Sequence, residues 1–192
     1  MVKEKSTDEL IKELLEKRDH ESKNQIEKFI NPDYSDLKNP FDFENMEAIV
    51  NKIISARENN EKIFIYGDYD VDGISGTAFL TKFFNEIGIS ADCYIPSRKE
   101  TDYGVSKKSI DYFHKRQGKL VITVDTGYNT IEDVRYAKSL GIEIIVTDHH
   151  KTVKEKFDDE ILYLNPKLSK TYKFQYLSGA GVAFKLAQGI CM

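Results

Sequence analysis

The sequence predicts an α/β domain, a parallel sheet with helices on both faces, preceded by an all-helical N-terminal lead-in. Three observations carry that prediction. From Lys62 onward, short apolar runs of strand length alternate with stretches of helical periodicity. The runs are apolar throughout, as strands buried on both faces are. Residues 1–60, by contrast, are dense in charge and lack any alternation of β-branched residues. We therefore divide the chain into a lead-in over 1–60 and an α/β domain over 61–192.

In the lead-in, Leu10, Ile11, Leu14 and Leu15 make an apolar stripe that predicts a helix from Thr7 to Arg18, with Thr7 as its N-cap. A second helix is expected over Lys23 to Ile30, ending before Asn31-Pro32. Residues 33–40 read as loop. Met46, Ile49, Val50, Ile53 and Ile54 predict a third helix from Phe41 to Glu58. The α/β pattern then begins. Strands are expected at Lys62–Tyr66, Ala91–Ile95, Leu120–Val124 and Glu143–Val146, with a further one at Ile161–Leu164. Helices are expected from the turn at Gly73 to about Ile87, from Ser106 to Arg116, from Thr130 to Leu140 and from Val182 to Ile190. Successive β-α-β units imply right-handed crossovers, hence parallel strands.

Composition excludes several classes. The chain is 40% hydrophobic and 31% charged with a net charge of -4, so any nucleic-acid contact must be local. Cys93 and Cys191 make neither a disulfide framework nor a zinc-ligand spacing. The N-terminus, Met-Val-Lys-Glu-Lys-Ser, lacks a signal-peptide core, and no apolar run reaches membrane-spanning length. The reading is a cytoplasmic protein.

In open parallel sheets, ligands bind outside the carboxyl ends of the strands. Here four predicted strands empty into unusual polar residues: Asp68, Asp70 and Asp72; Arg98; Asp125; and Asp148-His149-His150. Three carboxylates within five residues repel one another and compete for solvent, a conflict that a divalent cation removes. The plain alternative is a solvated acidic loop with an Asp helix cap. Convergence of four such loops on one crevice favours metal. Two ions about 3.5–4 Å apart need a bridging carboxylate and terminal ligands. Asp125, isolated after an apolar strand and followed by Gly127, suits the bridge. Asp70 and Asp72 can reach different ions from one short loop. His149 adds a nitrogen ligand, and that mixed donor set tilts the choice toward Mn²⁺ over Mg²⁺. His150 is left for the substrate, as proton donor or phosphate contact, and Arg98 for a pair of phosphate oxygens. Asp148 fits a role in orienting the loop or a histidine. His20 and His114 lie in charged helical stretches and read as solvated. Ser178-Gly179-Ala180-Gly181, opening the last helix, either offers N–H groups to a phosphate or serves close packing. Lys151, Lys154, Lys156, Lys167, Lys170 and Lys173 flank the proposed site.

These residues carry a resemblance. Asp68-Tyr-Asp70-Val-Asp72-Gly73, Pro96-Ser-Arg98, Asp125-Thr-Gly127 and Asp148-His149-His150 resemble the successive motifs of the DHH phosphoesterase superfamily. Within it the sequence looks most like the RecJ branch of single-strand-specific 5′→3′ DNA exonucleases. Phe29-Ile-Asn-Pro32, Asn39-Pro-Phe41 through Met46, and Leu177 through Lys185 extend the similarity from about residue 25 to the end. The resemblance implies that Asp68, Asp70, Asp72, Asp125 and His149 bind Mn²⁺ or Mg²⁺, two ions in the complete protein, and that His150 acts on the substrate. The chain departs from the family at Thr101-Asp102-Tyr103-Gly104, where the family usually reads Glu-Gly-Tyr-Gly, and at Tyr128, where it favours an aliphatic residue. RecJ-like proteins also carry a further metal-binding aspartate, a DHH-associated domain and an oligonucleotide-binding fold, none of which this sequence contains. It therefore reads as an N-terminal fragment.

What the resemblance implies about function is a metal-dependent phosphodiesterase. It would attack the 5′-terminal phosphodiester of single-stranded DNA and release 5′-mononucleotides, in DNA repair and recombination. Asp125, His150 and Arg98 would be its catalytic residues, and Arg98, His150, Ser178, Gly179 and Gly181 would contact substrate. Two rivals stand beside it. One keeps the chemistry on a smaller substrate: a short oligonucleotide, a cyclic dinucleotide or pyrophosphate. The other is a catalytically inactive scaffold of the same fold.

Overall fold

The computed structural model describes residues 6–18, 22–97, 104–127, 130–151 and 161–192. Two compact units divide between Lys38 and Asn39. The first contains helices α1 (Thr7–Glu16) and α2 (Lys23–Ile30) and a 3-10 turn at Tyr34–Asp36. Thr7, the cap that the sequence suggests, is the first helical residue instead. Ser6 takes the role because Glu9 stands three residues after it. The Ser6 hydroxyl accepts from the Glu9 N–H at 3.2 Å, and the Glu9 carboxylate accepts from the Ser6 N–H at 2.9 Å. Ser22 and Gln25 repeat this box on α2.

The second unit, Asn39–Met192, opens with a 3-10 turn at Pro40–Asp42 and then α3 (Met46–Glu58). The apolar pattern predicts this helix from Phe41. It starts at Met46 because Asn39 accepts the Phe41 N–H at 3.0 Å and Pro40 takes the first position of a separate turn. Met46, Ile49, Val50, Ile53 and Ala56 share a core with the strands. α3 therefore belongs to the compact unit that holds the sheet.

The strands are β1 (Lys62–Gly67), β2 (Ala91–Tyr94), β3 (Gly118–Val124), β4 (Glu143–Thr147) and β5 (Leu162–Leu164). They pair in parallel in the order β2-β1-β3-β4-β5. Alternation sends Ile63, Ile65, Leu120, Ile122 and Ile145 to one face, under α3, α4 (Val71–Glu86) and α7 (Gly179–Ile190). Phe64, Tyr66, Val121, Ile144 and Val146 go to the other, under α5 (Lys107–Lys115) and α6 (Ile131–Ser139). Burial on both faces is why the runs read as continuously apolar. Each large aliphatic side chain so buried contributes about 1.5–3 kcal/mol. Strand order reverses between β1 and β3, so the connections after these two strands leave toward opposite faces. In open parallel sheets such a switch point, at the carboxyl edge, is where ligands bind.

The stretch after β5 is fixed by the turn that leads into α3. The Asn45 amide donates to the Tyr163 carbonyl at 3.2 Å, and the ring of Tyr172 stacks on Phe43 at 3.9 Å. The Glu44 carboxylate accepts from the Ser169 hydroxyl at 2.7 Å and from the N–H of Lys170 at 2.6 Å and Thr171 at 3.3 Å. Partial burial pushes the Glu44 pKa upward, but these donors outweigh it and hold the carboxyl below its ordinary value. The stabilisation is therefore present above the unfolded value of about 4.5 and is lost as pH falls through the lower folded value. Glu44 is exposed, so the contribution is modest, about 1 kcal/mol. Glu44→Ala is expected to lower Tm by about 3 °C at pH 7. In melts at pH values below the folded value the difference should close; a gap that persists in strong acid would contradict this account. No helix among the described residues is long and apolar enough to cross a membrane.

Candidate metal centre

The centre is built at the β1/β3 switch. Asp68 follows β1, and its N–H donates to the Val124 carbonyl at 3.1 Å, continuing the ladder with β3 one residue beyond the strand. Asp70 caps α4, its carboxylate accepting from the Gly73 N–H at 2.9 Å. The sequence suggests a turn at Gly73 and a loop position for Asp72. Both residues lie instead in the first turn of α4. A side chain on residue 73 would come within 2.6 Å of the Asp68 carbonyl oxygen. Glycine there lets the helix press against the backbone that carries Asp68.

Asp125 directly follows β3 and is 1% exposed. Its φ of 61° places it in the left-handed region, which aspartate tolerates better than most residues. A lattice of threonines shapes this corner. The Thr123 hydroxyl donates to the Thr126 carbonyl at 2.6 Å, and the Thr147 hydroxyl donates to the Thr123 carbonyl at 2.6 Å. Their sequence signal is that of ordinary strand residues. Burial first, then the Asp72 carboxylate, pushes the Asp125 pKa up from 3.8 to about 8, with Asp70 and Asp148 adding to the rise and His150 opposing it.

The loop after β4 supplies the histidines. His149 Nε2 lies 3.1 Å from Asp125 Oδ1 and 3.6 Å from Asp72 Oδ2. His150 Nδ1 lies 2.7 Å from Asp148 Oδ1 and 3.8 Å from Asp125 Oδ1. A carboxylate acceptor requires the proton on Nδ1, which leaves Nε2 of His150 for another partner. Asp148, 2% exposed, also accepts the N–H groups of His149 at 2.7 Å and His150 at 3.1 Å. It therefore fixes both the loop and one imidazole. Burial pushes the His150 pKa down, but the hydrogen bond to Asp148 and the carboxylates of Asp148 and Asp125 outweigh it and raise the value above that of an ordinary imidazole. Donor atoms of Asp125, His149 and His150 lie within 4.8 Å of one another, as do those of Asp68, Asp70 and Asp125.

Asp72 has a partner that its sequence position does not suggest. Oδ2 accepts the Gly179 N–H at 2.7 Å and Oδ1 the Ala180 N–H at 2.8 Å, both on the first turn of α7. Burial raises its pKa, but these bonds, with Ser178 and His149, outweigh it and keep the carboxyl below its ordinary value. Of the two roles the sequence leaves for this segment, Gly179 serves close packing here, and the N–H groups of Gly179 and Ala180 are directed to Asp72. The Gly181 N–H donates to the Ser178 hydroxyl at 3.1 Å. Arg98 lies outside the described residues, as do His20, Tyr103, Tyr128, Lys154 and Lys156. His114 is on the exposed side of α5. The second motif's end is tethered nonetheless: the buried Tyr66 hydroxyl donates to the Gly104 carbonyl at 3.0 Å. That tether is invisible in sequence, where Tyr66 is one more apolar strand residue.

Residues 62–191 match the DHH family, N-terminal domain. The chain belongs to the DHH family. The DHH chain is 34% identical, over 181 residues, to the single-stranded-DNA-specific exonuclease RecJ of Bacillus subtilis, covering 94% of its own length and 23% of that relative. A manganese-bound crystal structure of exonuclease RecJ superposes with a TM-score of 0.68 at 31% identity, over 77% of this chain and 37% of that one. RecJ from Thermus thermophilus in complex with Mn²⁺ superposes with a TM-score of 0.64 at 28% identity, over 77% of this chain and 21% of that one. The DHH chain thus spans about a quarter of the curated relative's length, and its fold is similar to that of the manganese-bound RecJ structure.

Proposed function

We propose that this DHH domain is the metal-binding part of a phosphodiesterase that removes nucleotides from the 5′ end of single-stranded DNA. One observation carries the reading: two groups of potential ligands share Asp125, as a two-ion site with a bridging carboxylate requires. The donor set fits Mn²⁺ or Mg²⁺. It combines carboxylate oxygens with an imidazole nitrogen, and the buried Asp125 among other carboxylates is the group that a cation would relieve. Asp68, Asp70, Asp72, Asp125 and His149 would hold the ions. Bound there, divalent ions polarise water and offset charge on the phosphoryl oxygens.

The remaining roles belong to the chain's own groups. Asp72 is pre-oriented by the N-terminus of α7 and keeps Oδ2 toward His149. His150, its Nδ1 proton held by Asp148, would present Nε2–H to the leaving oxygen as proton donor from the charged imidazolium, which its raised pKa favours, and be left as the neutral ring protonated at Nδ1. Arg98, which follows β2 in sequence, would take a pair of phosphate oxygens. Trimming of single strands suits DNA repair and recombination, in a reducing compartment where Cys93 and Cys191 stay free.

Melting in Mn²⁺ tests the site first. At a hundredfold excess over Kd, a ligand that binds only the folded state adds about 2.7 kcal/mol. A rise of about 5–10 °C is therefore expected. Digestion of 5′-labelled single-stranded DNA in Mn²⁺, with release of 5′-mononucleotides that stops in Asp125→Asn, tests the activity. An unchanged melt together with no calorimetric heat at millimolar Mn²⁺ would refute the metal site.

A further inference from the structure

Charge and aromatic side chains are distributed unevenly along the chain. Residues 161–192 contain four lysines and no aspartate, glutamate or arginine, whereas the whole chain carries -4. Three of those lysines, Lys167, Lys170 and Lys173, fall in the stretch between β5 and α7, together with three aromatic residues. Tyr172 is buried against Phe43 and anchors the stretch, which Glu44 grips through the backbone of Lys170 and Thr171. Lys173, Phe174, Gln175 and Tyr176 face outward. Tyr176 is 86% exposed and Phe174 44%, their rings edge to face at 5.8 Å. Folding gains little from two aromatic rings so placed, although lone exposed apolar residues are common.

Both ends of this stretch touch the metal centre. At one end the Asn165 amide donates to the His150 carbonyl at 3.0 Å while its oxygen accepts the Lys167 N–H at 2.9 Å. At the other, Gly179 packs directly on Asp125 and holds Asp72. A strand leaving the centre along the outside of this segment would meet the Lys170 and Lys173 side chains and two open rings. That combination suits single-stranded nucleic acid: lysines contact the backbone, and the rings stack unpaired bases of any sequence. A duplex, whose bases are already stacked, gains only the charge contact.

We infer that residues 167–176 form a stacking platform for single-stranded nucleic acid, with Phe174 and Tyr176 as the base-contacting rings and Lys170 and Lys173 as backbone contacts. The inference rests on the proposed function for the direction of the strand, but its test does not depend on cleavage or metal. The probe is a fluorescent 5′-phosphorylated oligothymidylate of about twelve nucleotides in EDTA, followed by anisotropy against an abasic oligomer of equal length. The intact chain is expected to prefer the base-bearing oligomer about tenfold, the stacking of one base. Phe174→Leu/Tyr176→Leu should bind both oligomers alike, at the abasic level. Lys170→Ala/Lys173→Ala should weaken both equally and flatten the salt dependence. All four positions are exposed, so folding is not at risk, and the Mn²⁺ melting response should be unchanged in both variants. Failure of that response in the intact chain would therefore bear on the metal site alone. Absence of binding, equal binding of the two oligomers by the intact chain, or a base preference that survives in the leucine variant would overturn the platform.

Discussion

Asp125→Asn is expected to stabilise the metal-free protein at pH 8 and to abolish its response to Mn²⁺. The two effects have one cause. Burial among Asp72, Asp70 and Asp148 raises the folded pKa of Asp125 to about 8 from 3.8. A raised carboxyl contributes stability that is fully present below the unfolded value and is lost as pH rises through the folded value. The metal-free wild type should therefore weaken steadily between about pH 4 and 8, with a limiting slope of about 1.4 kcal/mol per pH unit. Local relaxation reduces the full integral to a few kcal/mol. Asparagine has the same shape, carries no charge and accepts the left-handed backbone at φ 61°. It removes the penalty without adding strain, so the variant should melt about 5–10 °C above wild type in EDTA at pH 8. Its stability should also decline less than that of the wild type across this interval, the remaining slope coming from groups such as His150 whose pKa is also raised. In saturating Mn²⁺ the order should reverse, because only the carboxylate gains from the cation. A variant that melts below wild type in EDTA at pH 8, or that gains as much from Mn²⁺, would show that Asp125 is not the strained centre of the site.

What could be read from the sequence, and what could not, follows from the range of the interactions involved. Ile63, Phe64 and Ile65 announce a doubly buried strand because every neighbour in sequence is also apolar. The acidic and imidazole residues announce the carboxyl edge because parallel strands deliver their following loops to one side. Local chemistry also sets the helix boundaries that the apolar pattern alone misplaces. Phe41 belongs to a turn capped by Asn39, and Thr7 yields the cap to Ser6, because single side-chain bonds decide where a helix begins. The fate of Asp72 could not be read in this way. Its donors stand 107 and 108 residues away, and only the pairing order of the sheet brings α7 to α4. The same holds for Gly179, which in sequence is one of several small residues opening a helix. In sequence its α7 N–H groups read as available to a phosphate, because nothing nearby competes for them.

The contact between Gly179 and Asp125 sets the last expectation: Gly179→Ala should cost both stability and metal affinity. A methyl group at residue 179 would lie 2.4 Å from Cβ of Asp125 and 2.5 Å from its Cγ and Oδ1. These atoms cannot swing aside, since Asp125 is buried and its backbone is fixed by the β3–β4 corner. The first turn of α7 must retreat instead, and the two N–H bonds to Asp72, 2.7 and 2.8 Å long, must lengthen with it. Alanine is the better helix former by up to about 1 kcal/mol. Overpacking of a close contact costs about 1–3 kcal/mol, and loosening a charged hydrogen-bonded pair adds to it. The clash should win, lowering Tm by about 5 °C. Displacing the groups that orient a ligand typically weakens metal binding about 10–100-fold, and Asp72 would lose both of its donors on α7. Gly181→Ala is the matched control on the same helical turn. Its nearest neighbour is a flexible tip, Leu177 Cδ2 at 3.3 Å, and its N–H bonds to Ser178 rather than to Asp72. It should leave Mn²⁺ affinity intact and melt at or above wild type. Were Gly179→Ala to match Gly181→Ala in melting and in Mn²⁺ calorimetry, the coupling of α7 to the metal centre would be disproved.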